Sequence, residues 1–249
     1  MEDSRYILAF NPTGTVVTGC KDKHVTKIII PDGVTSIGES AFKGCIRLTS
    51  FEIPNSVTSI GWSAFSGCTG LTSIEIPNSV MWIEGYAFAR CSIERLDLPE
   101  NTWLYDCAIC ECFKLKHINV AQNSPYYASI DGVLYSKDLT VLINMPCAIE
   151  GEYNLPPETK EIANAAFMGS SLHVVRLHNN IRKIGNKTFA DASVKELHIR
   201  HENPEELEIG EEAFENLKDC TLYVPIGTGY AYRHHPRFEG KFKEVIIEK

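Results

Sequence analysis

Ile53-Pro54-Asn55-Ser56-Val57-Thr58-Ser59-Ile60-Gly61-Trp62-Ser63-Ala64-Phe65-Ser66-Gly67-Cys68-Thr69-Gly70-Leu71 contains one complete unit of a pattern that recurs along the chain. Its opening occurs 23 residues earlier, at Ile30-Pro31-Asp32-Gly33-Val34-Thr35-Ser36-Ile37-Gly38, and 23 residues later, at Ile76-Pro77-Asn78-Ser79-Val80-Met81-Trp82-Ile83. Each copy runs on into Ala-Phe and Cys, at Ala41-Phe42 with Cys45, Ala64-Phe65 with Cys68, and Ala87-Phe88 with Cys91. One such unit is too short to bury its own apolar side, so neighbours must stack and share a continuous core.

Between each Cys and the next Pro lies a run such as Leu71-Thr72-Ser73-Ile74-Glu75-Ile76, whose alternation of apolar and polar residues is that of a half-buried strand. Aligning these runs places strand starts at Val25, Leu48, Leu71, Ile93, Leu115, Leu139, Leu172, Val194 and Asp219, which predicts nine coils and a parallel sheet. Pro after each strand has no N–H and stops the ladder, and Asn-Ser or Asp-Gly supplies the turn that follows. The β-branched segment Val57-Thr58-Ser59-Ile60 predicts a second, shorter strand, followed by a turn of helix carrying Ala64-Phe65.

The recurring Phe42, Phe65, Phe88, Phe167, Phe189 and Phe214 are expected to stack inside the coils, each contributing about 1.5–3 kcal/mol of gross burial energy. Cys45, Cys68 and Cys91 share the repeat spacing, so they read as small buried apolar residues rather than disulfide partners or ligands. The period loosens after the fifth strand. Asp-Gly and Lys-Asp flank a Val-Leu-Tyr run there, which predicts a hairpin arm over residues 124–138, and the extra residues around Cys147 to Asn154 are expected to loop outward. The expected organisation is one repeat domain over 1–249, with an N-terminal cap (1–24), repeats (25–225) and a C-terminal cap (226–249) covering the open end of the core.

Composition narrows the function classes. Hydrophobic residues at 44% and charged residues at 22% are ordinary for a folded protein, and the net charge of −8 disfavours a nucleic-acid partner. No apolar run is long enough for a membrane helix, and Met1-Glu2-Asp3-Ser4-Arg5 has neither the charged nor the apolar region of a signal peptide.

These repeats resemble the BspA-like leucine-rich-repeat family, whose unit reads roughly LxxIxIPxSVTSIGxxAFxxC and is nearly spelled out by Ile53 through Leu71. Ile130-Asp131-Gly132-Val133-Leu134-Tyr135-Ser136-Lys137 is similar to an arm found in many members, and Leu222-Tyr223-Val224-Pro225 to their closing segment. The resemblance spans essentially the whole chain. It departs from the pattern at Ala108-Ile109 and at Ser170-Ser171, where no Cys appears. It implies a mainly β, right-handed, curved leucine-rich-repeat solenoid with short helical turns, and an extracellular or cell-surface protein used in adhesion.

Chemistry offers fewer anchors. Cys107, Cys110 and Cys112 could hold a metal if His117 or Cys147 completed the set, or could form a local disulfide; structural cysteine is the preferred reading, with no metal. No HExxH, GxSxG or P-loop occurs, and His173, His178, His198, His201, His234 and His235 read as solvated surface residues, so neither enzyme activity nor a cofactor is expected. The binding candidate is the outward column of the long strands, comprising Glu52, Glu75, Asp97, Asn119, Arg176, His198 and Tyr223, with Ile29 and Ile143 in register. A protein ligand on the host or bacterial surface is the expected partner of a monomer. A structural spacer within a larger surface protein, and carbohydrate stacked on Trp62, Trp82 and Trp103, are the alternatives.

Overall fold

The computed structural model describes residues 6–248. The chain is a mainly β repeat solenoid with parallel strands, dividing into two compact units, residues 1–132 and 133–249.

In the first unit two ladders run through the coils. The short-strand ladder starts with the antiparallel pair Leu8–Phe10 and Val16–Cys20, then continues in parallel through Ser36–Ile37, Ser59–Ile60, Trp82–Ile83 and Trp103–Leu104. Register aligns Val17, Ile37, Ile60, Ile83 and Leu104 on the buried side and Val16, Ser36, Ser59, Trp82 and Trp103 on the other. One residue in two is apolar and buried, as the pleat requires. The long-strand ladder pairs Lys27–Ile29 with Ser50–Glu52 and Arg95–Leu98 with His117–Val120, but lapses over residues 71–76 of the intervening coil.

That lapse departs from the expected run of strands and falls one coil after Phe51. Its ring lies edge-on to Phe42 (4.8 Å) and to Phe65 of the following coil (4.7 Å), so it fills core space beneath the next long strand. Ile74, one coil on, is half-buried, whereas Ile28, Leu96 and Ile118 are enclosed.

The expected turn of helix around Ala64-Phe65 is instead a non-helical turn. Ser63 sits in the left-handed region (φ 53°), which interrupts a right-handed helix. Alternate N–H groups then point to the next coil: Ser63 donates to Gly85 (3.0 Å), Phe65 to Ala87 (2.7 Å) and Gly67 to Ala89 (2.8 Å). Inside, Phe42, Phe65 and Phe88 stack at 5.4 and 5.3 Å, nearly parallel and fully buried.

The second unit repeats both ladders. Val133–Ser136 and Val141–Asn144 form a hairpin, after which Glu161–Ile162, Lys183–Ile184 and Glu208–Ile209 follow in parallel. Within the stretch 124–138 expected as a hairpin arm, Val133, Leu134 and Tyr135 are completely buried. The segment expected to loop outward supplies Gly151–Asn154, which starts a long ladder through Leu172–Leu177, Glu196–Ile199, Thr221–Val224 and Glu244–Ile247. The solenoid has about 11 turns rather than nine, because Val16–Cys20 and Glu244–Ile247, both expected in caps, join the ladders. Phe167, Phe189 and Phe214 stack at 4.8 and 6.0 Å, and Phe238 covers Phe214 at 5.1 Å. Gly229–His234 is the α-helix of this end, and its buried Tyr232 donates to the His201 carbonyl at 2.7 Å.

Candidate functional site

The outward column of the long strands is divided between the two units. In the first, register aligns Ile29 with Glu52 and Asp97 with Asn119, and the repeat places Glu75 between the pairs. Most of its charge is neutralised locally. Lys27 reaches Glu52 at 2.7 Å, Arg95 reaches Asp97 at 2.9 Å, and the Asn119 amide donates to Asp97 at 2.7 Å. These pairs are solvent-exposed, so each is worth little and is screened by salt. Glu75 is exposed and has no ion-pair or hydrogen-bond partner among the described residues.

Beside Glu75 lies a depression of about 540 Å³ lined by Asp32, Phe51, Glu52, Pro54, Ser56 and Glu75 among others. Three carboxylates face it without an equal number of cations, and the Ser56 hydroxyl is enclosed with no hydrogen-bond partner among the described residues. Asp32 and Ser56 belong to turns, which the period-two strand pattern does not mark as outward residues. Phe51 also lines the depression, a ring where the other coils of this unit carry Ile or Leu.

In the second unit the column reads Asn154, Arg176, His198, Tyr223 and Ile246. Ile143 is not part of it: Val141–Asn144 belongs to the short-strand ladder, because the hairpin takes the place of a long strand. Arg176 pairs with Glu152 at 3.3 Å. His198 is only 6% exposed, a correction to its reading as a solvated surface residue. Its ring stacks on Tyr223 at 4.4 Å, Nδ1 bonds the Glu248 carboxylate, and Nε2 lies 3.4 Å from Glu196. His201 is likewise buried, because Tyr232 and the terminal helix cover it. Of the seven column residues, Glu52, Glu75, Asp97 and Asn119 lie in one unit, and Arg176, His198 and Tyr223 in the other.

All nine cysteines are free thiols, and only Cys107 is partly exposed. A hydrogen bond with Cys107, together with burial, pushes the Cys110 thiol far above the ordinary range. The Cys112 thiol is committed to the Phe88 carbonyl at 3.0 Å. Among the described residues no three His, Cys, Asp or Glu side chains are placed to hold a metal. No helix among them is long and apolar enough to cross a membrane.

Comparison with solved structures returns bacterial leucine-rich-repeat proteins. A leucine-rich repeat protein from Eubacterium ventriosum aligns with TM-score 0.71 and 23% identity over 86% of this chain and 67% of that one. The pneumococcal vaccine antigen PcpA gives 0.59 and 22% over 97% and 82%. A leucine rich cell surface protein from Faecalibacterium prausnitzii gives 0.61 and 21% over 91% and 74%. At these identities the likeness is one of fold. No curated protein matches the chain. The BspA type leucine rich repeat region, present in six copies, matches residues 19–129 and 146–228, and the protein belongs to that family.

Proposed function

We propose that the protein is a non-enzymatic recognition module, acting at the cell surface or outside the cell, that binds a protein ligand of a host or bacterial surface. The ladder lapse carries this reading. Beside it lies a depression rimmed by Asp32, Glu52 and Glu75, and Glu75 has no ion-pair or hydrogen-bond partner among the described residues. An exposed carboxylate that is already solvated and unpaired can meet a cation of the ligand without first breaking an internal ion pair. The names of the similar structures, a cell surface protein and a vaccine antigen, support the location.

The test is capture by immobilised protein from host extracellular-matrix proteins and epithelial surface extracts, with Glu75→Lys beside the parent. Saturable capture by the parent, lost in the variant, is the expected result. Equal capture by both removes the depression as the site. Absence of any capture favours a structural spacer within a larger surface protein, a role suited to the self-neutralised ion pairs of the remaining column.

A further inference from the structure

The outer side of the short-strand ladder in the first unit carries an exposed aromatic strip unconnected to the ladder lapse. Trp82 and Trp103 are register partners on adjacent strands, 46% and 40% exposed, and Trp62 at the preceding coil is 47% exposed. Trp82 has no ring partner among the described residues. Trp62 is held in place from below. A Cβ on Gly85 would come within 2.5 Å of its ring, so the missing side chain of Gly85 is what allows the indole to lie across the next coil. Tyr86 flanks the ring at 5.1 Å.

Charge decides what such a strip fits. Glu84, whose carboxylate accepts the main-chain N–H of Trp62 at 2.9 Å, is exposed, as is Glu39 at the position of the preceding coil equivalent to Trp62. Neither makes an ion pair with Lys or Arg among the described residues. A wholly apolar partner would desolvate these carboxylates without return. A neutral glycan could use the ring faces but would leave the charge unanswered. A cation answers both, since the indole face attracts it through the ring quadrupole and the carboxylates through Coulomb attraction. We propose that this strip binds a Lys- or Arg-bearing segment of a protein partner, its cationic heads lying on Trp82 and Trp62 between Glu39 and Glu84. The strip is a second recognition surface and does not depend on the depression beside Glu75.

The test is fluorescence anisotropy of a labelled nonapeptide of alternating Arg and Gly, titrated with the intact protein. A peptide of the same sequence with citrulline for Arg serves as the uncharged control. Trp82→Ala is expected to weaken Arg-peptide binding about two- to fivefold, the range for one exposed cation–π contact, and Glu39→Gln to weaken it further at low salt. Glu75→Lys should leave this binding unchanged, which separates failure here from failure of the depression. Equal binding of the citrulline peptide overturns the proposal, as does unchanged binding in both Trp82→Ala and Trp103→Ala. Indole quenching by cellohexaose without any Arg-peptide binding overturns it in favour of a glycan.

Discussion

The Cys68 thiol donates to the main-chain oxygen of Phe42, 3.1 Å away and 26 residues earlier in the chain. Cys91 does the same to Phe65 at 3.1 Å, and Cys112 to Phe88 at 3.0 Å. The repeated cysteine therefore does more than fill a small apolar space, because it ties the turn of its own coil to the turn of the coil before. Cys68→Ala removes this tie and a buried sulfur, while Phe42 keeps its bond from the Cys45 N–H. A loss of about 1–2 kcal/mol in urea unfolding is expected, and a midpoint equal to the parent's would show the tie to be idle.

Phe65 lies between Phe42 and Phe88, with the Phe51 ring edge-on to it. Phe65→Ala should cost about 3–5 kcal/mol, since rigid neighbouring coils cannot collapse into the space. Phe65→Leu, which keeps most of the volume, should cost distinctly less. Calorimetry on both variants checks this; similar losses would mean that ring stacking, not volume, dominates.

The fold was readable in the sequence wherever the physics is periodic. Ile37, Ile60 and Ile83 fall on one buried line because each coil repeats the same two-residue alternation, and identical neighbours stack in only one register. Reading failed where that equivalence lapsed or a hairpin broke it. Leu71-Thr72-Ser73-Ile74-Glu75-Ile76 keeps the alternation of its neighbours, so alternation alone could not reveal the lapse at 71–76. Val141-Leu142-Ile143-Asn144 looks like a long strand by composition, yet the hairpin directs it to the other ladder. His198 is a polar residue at an outward position, and its burial depends on Tyr223 and Glu248, the latter 50 residues away. Among the candidate site residues, Glu52 and Glu75 were legible from strand alternation, whereas Asp32 and Ser56 reach the depression through turn geometry.

Gly61 ends the Thr58-Ser59-Ile60 segment at a point where two coils nearly touch. A Cβ there would lie 2.9 Å from the Glu39 nitrogen and 3.0 Å from the Ile37 oxygen, both of them main-chain atoms that cannot swing aside. Gly61→Ala is expected to destabilise by about 1–3 kcal/mol. Gly19→Ala, where the nearest atom would be 3.9 Å away, should be close to neutral. If chemical denaturation gives both the same cost, the close approach is not what selects glycine.

Alkaline pH should loosen the coils through these thiols. Burial pushes Cys68 and Cys220 up to about 12 and holds Cys91 well above its ordinary value. In the unfolded chain the same groups lose their protons near pH 8.5. A folded pKa above the unfolded one gives a contribution that is fully present below about pH 8.5, then declines as pH rises toward the folded value. The decline approaches about 1.4 kcal/mol per pH unit for each such thiol. Urea midpoints measured from pH 7 to pH 10.5 should be flat at first and fall beyond pH 8.5. Lysines and tyrosines also begin to titrate in the upper part of this window, so the decisive comparison is with Cys68→Ala. That variant starts less stable but should fall less steeply, because one buried thiol no longer resists ionisation, and parallel slopes would remove the thiols as the cause.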